Sequence, residues 1–394
     1  MGGIEGATLS EHPMGVLANP GQLGLTTLDH YFLGGLYPSS TVWLPGLNIP
    51  DISYSASAIS AGLNLNRVIS IPVDLSLGFA YSHVSLNEGT FAITGDDPTP
   101  LGYFQAEEHS DNWSIAIGAD RYIRVGFGYT HKSVVSSLAA FDVQHQGREG
   151  VANISTYDLG AIAQIPIIRI IGQLSGSPII FGETVHPLLD ITFGYARRNL
   201  GDELVAYIDP AQADPLPRSA MLGVSYKAGF TLPVRAGSWE ALSVTLAREA
   251  EDILVQRFPA PTDSNGNVTG EPPPPQYVDG SGTIQFFNNV ILGEGNTHIT
   301  LRKGWQVNFG ELFQVRGGSV RGRGVSYTTS GYSFRLGAVL KLIAQLSQSA
   351  ADSRIGGLIL THIDFAYDHA SSTYDDPTNP NNGITFNGLS LLIK

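Results

Sequence analysis

The stretch from Ser219 to Leu232 alternates without a break. Leu222, Val224, Tyr226, Ala228, Phe230 and Leu232 share one face, and Gly223, Ser225, Lys227, Gly229 and Thr231 share the other. Period two is the geometry of a β-strand, whose successive side chains leave opposite faces. The run exceeds the ~5–6 residues usual in soluble sheets and matches the ~9–11 that a tilted strand needs to cross a bilayer. The pattern recurs. Val73, Leu75, Leu77, Phe79 and Tyr81 oppose Asp74, Ser76, Gly78, Ala80 and Ser82. Tyr332, Phe334, Leu336, Ala338, Leu340 and Leu342 oppose Ser333, Arg335, Gly337 and Lys341, and Ile363, Phe365 and Tyr367 oppose Asp364, Ala366 and Asp368.

Soluble antiparallel sheets also alternate, so composition has to decide. Charged residues are 14% of the chain, against roughly 25% in soluble domains. There are 16 Tyr, 17 Phe and 46 Gly. No uninterrupted apolar run reaches the ~18 residues of a transmembrane helix, and mean hydropathy is only +0.04. A wall with one face toward lipid and one toward a polar lumen averages out in this way. The second faces carry Gly, Ser, Asp, Arg and Lys, which suits a wet or plugged lumen. The fold expected is all-β: a transmembrane antiparallel β-barrel.

Strands are expected at 31–37, 53–65, 72–86, 112–119, 122–132, 154–165, 187–197, 219–232, 240–248, 298–305, 311–320, 329–342, 358–369 and 384–393, about fourteen in all, with boundaries good to ~2–4 residues. Their connections alternate in length. Short ones are 66–71, 120–121, 233–239 and 306–310; long ones are 87–111, 133–153, 199–218, 249–297 and 370–383. Two on the short side, 166–186 and 343–357, are longer than the rule for periplasmic turns prefers. An even count puts both barrel ends in the periplasm. The longest loop, 249–297, holds Pro272 to Pro275 and is not wall sequence. Its Ile284–Leu292 portion reads as a strand of a small external hairpin. The whole chain, 1–394, reads as one barrel domain, with 1–30 as a lumenal plug segment and 31–394 as the barrel.

Other classes fall away. Net charge is −13, without the basic face that nucleic acid requires. There is no Cys, hence no disulfide or thiolate chemistry. Gly172 to Gly176 reads Gly-Gln-Leu-Ser-Gly, which is not a nucleophile elbow, so no catalytic residue and no cofactor are expected. His83, His109, His131 and His145 could share one external end, but no pair has ligand spacing, and Asp375-Asp376 reads as a solvated turn rather than a calcium loop. No metal is expected. The start of the chain shows no secretory h-region, and a bacterial outer-membrane destination implies a leader that this chain does not carry.

Residues 7–24, rich in small and turn-forming types, precede the first strand. The core Asn19-Pro20-Gly21-Gln22-Leu23 resembles the Asn-Pro-Ala-Gly-Leu signature of the FadL-like outer-membrane barrel superfamily; a plain Asn-Pro turn is the bland alternative. Three further stretches resemble the PorV/PorQ branch of that superfamily: Trp43-Leu44-Pro45 with Asp51 to Leu63, Glu311 to Gly318, and Gly331 to Leu342 with Ile363 to Tyr367. Gly318-Ser319 departs from the branch's usual Gly-Tyr, and the chain ends Leu392-Ile393-Lys394 without an aromatic.

The resemblance implies an N-terminal segment, including Asn19 and Pro20, folded into the lumen as a plug. It implies a non-enzymatic component of type IX protein secretion and surface attachment, docking to a large translocon protein and secreted cargo through external loops. The alternative is a FadL-type transporter, with a bound lipophile in place of those partners. Arg316 is expected to face the lumen, pairing with a carboxylate there or touching the plug or a partner. Trp43 and Leu44 are either an aromatic-belt anchor in outer-membrane lipid or, as the resemblance implies, a partner contact.

Overall fold

The structure is a computed structural model. It describes residues 6–10, 12–37, 41–42, 52–67, 72–94, 99–139, 150–182, 184–201, 204–205, 214–234, 237–263, 267–270, 273, 275–346, 363–374 and 383–393. Fourteen antiparallel strands form the wall: β1 Phe32–Leu36, β2 Ile52–Asn64, β3 Asp74–Thr94, β4 Pro100–Asp120, β5 Arg124–Ala139, β6 Gly150–Pro166, β7 His186–Leu200, β8 Ser219–Val234, β9 Gly237–Ile253, β10 Ile299–Phe309, β11 Phe313–Gly322, β12 Val325–Arg335, β13 Ile363–Tyr374 and β14 Gly383–Ile393. Each pairs with its neighbours in sequence. The first strand closes the ring: β1 pairs with β14 from Phe32↔Ile393 to Leu36↔Leu389 and with β2 from Phe32↔Ala61 to Leu36↔Ser57. Closure removes the free edges that would leave backbone groups unsatisfied in lipid.

The apolar faces point outward. Phe79, Trp113, Phe127, Leu246, Trp305 and Phe365 lie on six strands spread round the ring, and each is 43–61% exposed. Soluble monomers rarely expose contiguous apolar surface on this scale; toward lipid it costs nothing. A closed antiparallel barrel with an apolar belt is a protein of the bacterial outer membrane. Among the described residues no helix is long and apolar enough to cross a membrane, which says nothing against crossing by strands.

Each of the fourteen expected segments contains a strand, with differences of extent and type. The wall is taller than expected at β3 and β4, which run 21 residues each and meet across 95–99, where a loop over 87–111 was expected. Above the belt their outer faces carry Ser85, Asn87, Glu107 and His109, so alternation continues without a hydrophobic signal. For the same reason β5 runs to Ala139 and β6 begins at Gly150. The expected strand 329–342 stops at Arg335 and becomes helix α4, Leu336–Leu346. Leu336, Val339, Leu340 and Ile343 fit a helical face as well as a strand, and the Asp364 carboxylate accepts the Gly337 amide at 2.7 Å, satisfying a donor that a helix start leaves open. Residues 358–362 lie outside the described residues. Within 166–186, Pro166 ends β6 and helix α3 (Ile167–Ser175) follows.

The expected external strand Ile284–Leu292 is instead a π-helical turn, Phe286–Leu292. It lies on the outside of the wall, where Ile284 and Val290 bury against Val224, Ala250 and Ile299. The nearby hairpin is a two-residue ladder of Val255–Gln256 with Gln276–Tyr277.

Candidate lumenal site

Residues 6–10 and 12–30 pack against the inner wall. They include two helices, α1 (Gly15–Ala18) and α2 (Gly21–Asp29). Pro20 stands at the head of α2 with φ −56°, the value its ring imposes and a helix needs. Asn19 is fully buried. Its Oδ1 accepts the Gly21 amide at 3.0 Å, while Nδ2 donates to the Gly6 carbonyl at 2.7 Å and to the Ala161 carbonyl of β6 at 3.1 Å. The Asn-Pro pair therefore starts a helix and ties it to the wall. Asn19→Ala removes three hydrogen bonds and strands buried groups, a loss of about 1–3 kcal/mol. The expected result is faster protease cleavage within residues 6–30 while the barrel stays folded.

The wall makes room for this segment with glycine. A Cβ placed on Gly118 would overlap the Gly24 carbonyl, one on Gly126 the Gly21 carbonyl, one on Gly160 the Asn19 side chain, and one on Gly194 the Gly6 carbonyl. Polar side chains complete the seat. Ser76 Oγ donates to Gly24 O at 2.8 Å, Ser225 Oγ to Ala7 O at 3.0 Å, and Arg124 pairs with Asp29 at 2.6 Å. The Gly6 amide donates to the buried Glu249 carboxylate at 2.8 Å. Arg302 pairs with Glu249 at 3.2 Å and with Glu251, and Arg198 also pairs with Glu251. Sequence reading missed this seat. Its only trace was the recurrence of Gly on the non-apolar face.

Arg316 lies on the inner face of β11, far round the ring from Asn19 and Pro20. Its guanidinium is 3.1 Å from Asp368 of β13, which also accepts from Ser333. Trp43 and Leu44 lie outside the described residues, as do His145 and Asp375-Asp376. His83 and His109 are neighbours on the outer wall with ring centroids 6.0 Å apart. His83 is hydrogen-bonded to Asp111 at 2.9 Å. Among the described residues no group of three side chains could hold a metal ion.

A second inner feature sits beside the shortest strand. β1 has five residues, and above Leu36 no ladder joins β2 to β14 among the described residues. The Tyr37 amide still donates to Ala56 O at 2.9 Å, and Thr41–Val42 pairs with β2 and lies near β14. Behind this seam the inner surface is apolar. Met14 packs on Ala56 and Ala58, with Leu17, Tyr37, Tyr54 and Val84 against them. Phe386 of β14 meets Tyr54 edge-on at 5.8 Å and Tyr37 at 6.2 Å, and His12 stacks on Tyr37 at 5.5 Å. The N-terminal segment is thus the floor of an aromatic patch facing the wall position held, among the described residues, by the shortest ladder.

No protein-family model matches the chain, and no curated protein matches it. Among solved structures it is similar to the Ralstonia pickettii toluene transporter TbuX, at 11% identity and a TM-score of 0.37 over 100% of this chain and 95% of that one. It is similar to the Pseudomonas putida toluene transporter TodX at 8% identity and 0.39, over 98% and 94%. For OccAB3 of Acinetobacter baumannii the values are 7% and 0.30, over 92% and 97%. Likenesses at this level speak to neither family nor cargo; the barrel is established by its own closed ladder.

Proposed function

We propose that the protein is a FadL-type transporter that moves a hydrophobic small molecule across the outer membrane without catalysing a reaction. The chain acts as one barrel, residues 1–30 being its plug. The plug blocks straight passage down the lumen, and the cargo rests on the aromatic patch and leaves sideways into lipid through the seam between β2 and β14. The observation that carries this reading is the coincidence of the five-residue β1 with the patch of Met14, Tyr37, Tyr54 and Phe386. A lateral exit spares an apolar cargo the polar inner wall and the periplasmic water beyond it.

The secretion reading has less to stand on. The segment resembling the PorV/PorQ branch at 311–318 has local structural work: Glu311 Oε1 accepts the Glu240 amide at 2.9 Å, and Gly310 O accepts from Trp239 Nε1 at 2.6 Å, joining two periplasmic turns. Arg316 is occupied by Asp368.

The test is titration of the purified barrel with a polyene fatty acid that fluoresces in apolar surroundings. Saturable binding is expected. Tyr54→Ala with Phe386→Ala should weaken it at least about tenfold, equivalent to about 1.4 kcal/mol. Absence of saturable binding, or equal binding by the double variant, contradicts the proposal.

A further inference from the structure

Arg248 of β9 and Lys303 of β10 are direct partners in the ladder. Both point outward, because the next pair down the same face, Leu246 and Trp305, belongs to the exposed belt. Gly293, at the end of the π-helical turn, brings the two cations to one place: a Cβ there would lie 3.5 Å from Arg248 Nη1 and 3.9 Å from Lys303 Nζ. Arg321 of β11 lies opposite Leu301, on the same outward face and one pair nearer the external rim. The π-helical turn leaves Phe287 and Leu292 exposed at 63% and 50% beside them.

This arrangement is costly as it stands. Like charges directly opposite on a sheet repel, and cations on the lipid face of a barrel destabilise it unless they lie near an interface or find a partner. None of the three forms an ion pair with a described carboxylate, although acidic residues outnumber basic ones 35 to 22. The one hydrogen bond, from Arg248 to the Ile291 carbonyl, holds the turn and leaves the charge uncompensated. Strands β10 and β11 have 11 and 10 residues, the length that just spans the bilayer. Arg321, next to the tight turn at 323–324, is therefore at headgroup level on the external side. Lys303 and Arg248 reach that level along their stems.

We infer that Arg248, Lys303 and Arg321 form a binding site for the phosphate of an outer-leaflet lipid headgroup, with the acyl chains lying along Leu246, Trp305 and Leu292. The phosphate supplies the missing anion, and the apolar residues below and beside the cations match a molecule with one charged end and one greasy end. A free phosphate ion would use only the first of these features. The site lies outside the barrel and does not depend on the lumenal reading.

The test uses the full chain in detergent micelles. Native mass spectrometry would count retained lipid after titration with bis-phosphorylated lipid A, with its dephosphorylated form, and with inorganic phosphate. Lys303→Gln with Arg321→Gln is the informative variant, since neither side chain makes a hydrogen bond among the described residues; Arg248→Gln is added as a third step. Heat-modifiable gel mobility confirms that each variant is folded. The unaltered protein should retain one lipid A with at least about tenfold higher affinity than the double variant. The dephosphorylated lipid should bind no better to the unaltered protein than to the variant. Equal retention by both proteins, equal binding of the dephosphorylated lipid, or displacement of lipid A by an equal concentration of inorganic phosphate would each overturn the assignment.

Discussion

Gly118→Val is expected to expel helix α2 from the barrel. The position of the missing Cβ is occupied on two sides, by the Gly24 carbonyl and by Ser76 Oγ at 2.6 Å. The Gly24 contact is with backbone, which no rotamer change can relieve. Overpacking by a single methylene costs about 1–3 kcal/mol, and valine adds three carbons where not even one fits. The wall is held by long ladders on both sides of β4, unbroken around Gly118, whereas α2 is held by a handful of hydrogen bonds and small apolar contacts. The helix should therefore yield before the wall does. Limited proteolysis of the folded barrel should show cleavage within residues 6–30 accelerated at least about tenfold, with heat-modifiable mobility unchanged. Gly172→Ala is the control, because its nearest obstacle is the Ser177 carbonyl at 3.3 Å, in an exposed turn away from the lumen. Equal protection of the N-terminal segment in both variants would mean that the close approach is not what seats it.

Arg302→Ala should be the most destabilising single change on the inner wall. Arg302 bridges Glu249, whose side chain is fully buried, and Glu251, which is 9% exposed. Its removal leaves Glu249 with the Gly6 amide as its hydrogen-bond partner among the described residues, buried beside a Glu251 that keeps Arg198. Breaking a buried pair in this way costs about 3–5 kcal/mol. Urea unfolding of the refolded barrel should show a loss of that size. Adding Glu249→Gln should restore part of it, since the amide oxygen still accepts from Gly6 and the uncompensated charge is gone. A loss under about 1 kcal/mol, or no recovery in the double variant, would place the network's weight elsewhere.

The wall was legible because lipid imposes a one-sided pattern. Runs such as 219–232 and 363–369 carry apolar residues on the outer face whatever lies inside, so period two survives in the sequence. Where the outer face leaves lipid the signal goes, and β3, β4, β5 and β6 extend beyond their expected ends. The α4 segment was misread because Leu336, Val339, Leu340 and Ile343 suit either period, and the Asp364 contact that favours the helix comes from 27 residues away. The turn at Phe286–Leu292 read as a strand because it too is an apolar patch bound to the wall. It is bound from outside, as a π-helical turn.

The lumenal site was half legible. Asn19-Pro20 marked a turn and a candidate for the lumen, but its partners, Gly160, Ala161 and the backbone of Gly6, are spread over 155 positions and leave no spacing to read. Arg316 could be given a carboxylate without its being identifiable as Asp368. The aromatic patch was invisible: Met14, Tyr37, Tyr54 and Phe386 come from four separate segments, and only ring closure brings Phe386 beside Tyr37 and Tyr54.

The most direct measurement is extraction of the protein from native membranes in a mild detergent, followed by mass spectrometry of everything that stays bound. The transporter account predicts a monomeric barrel carrying a fatty acid or another lipophile, lost on Tyr54→Ala with Phe386→Ala. A stoichiometric giant barrel partner, or secreted proteins sharing one C-terminal domain, with no lipophile bound, would contradict it and favour the secretion machinery instead.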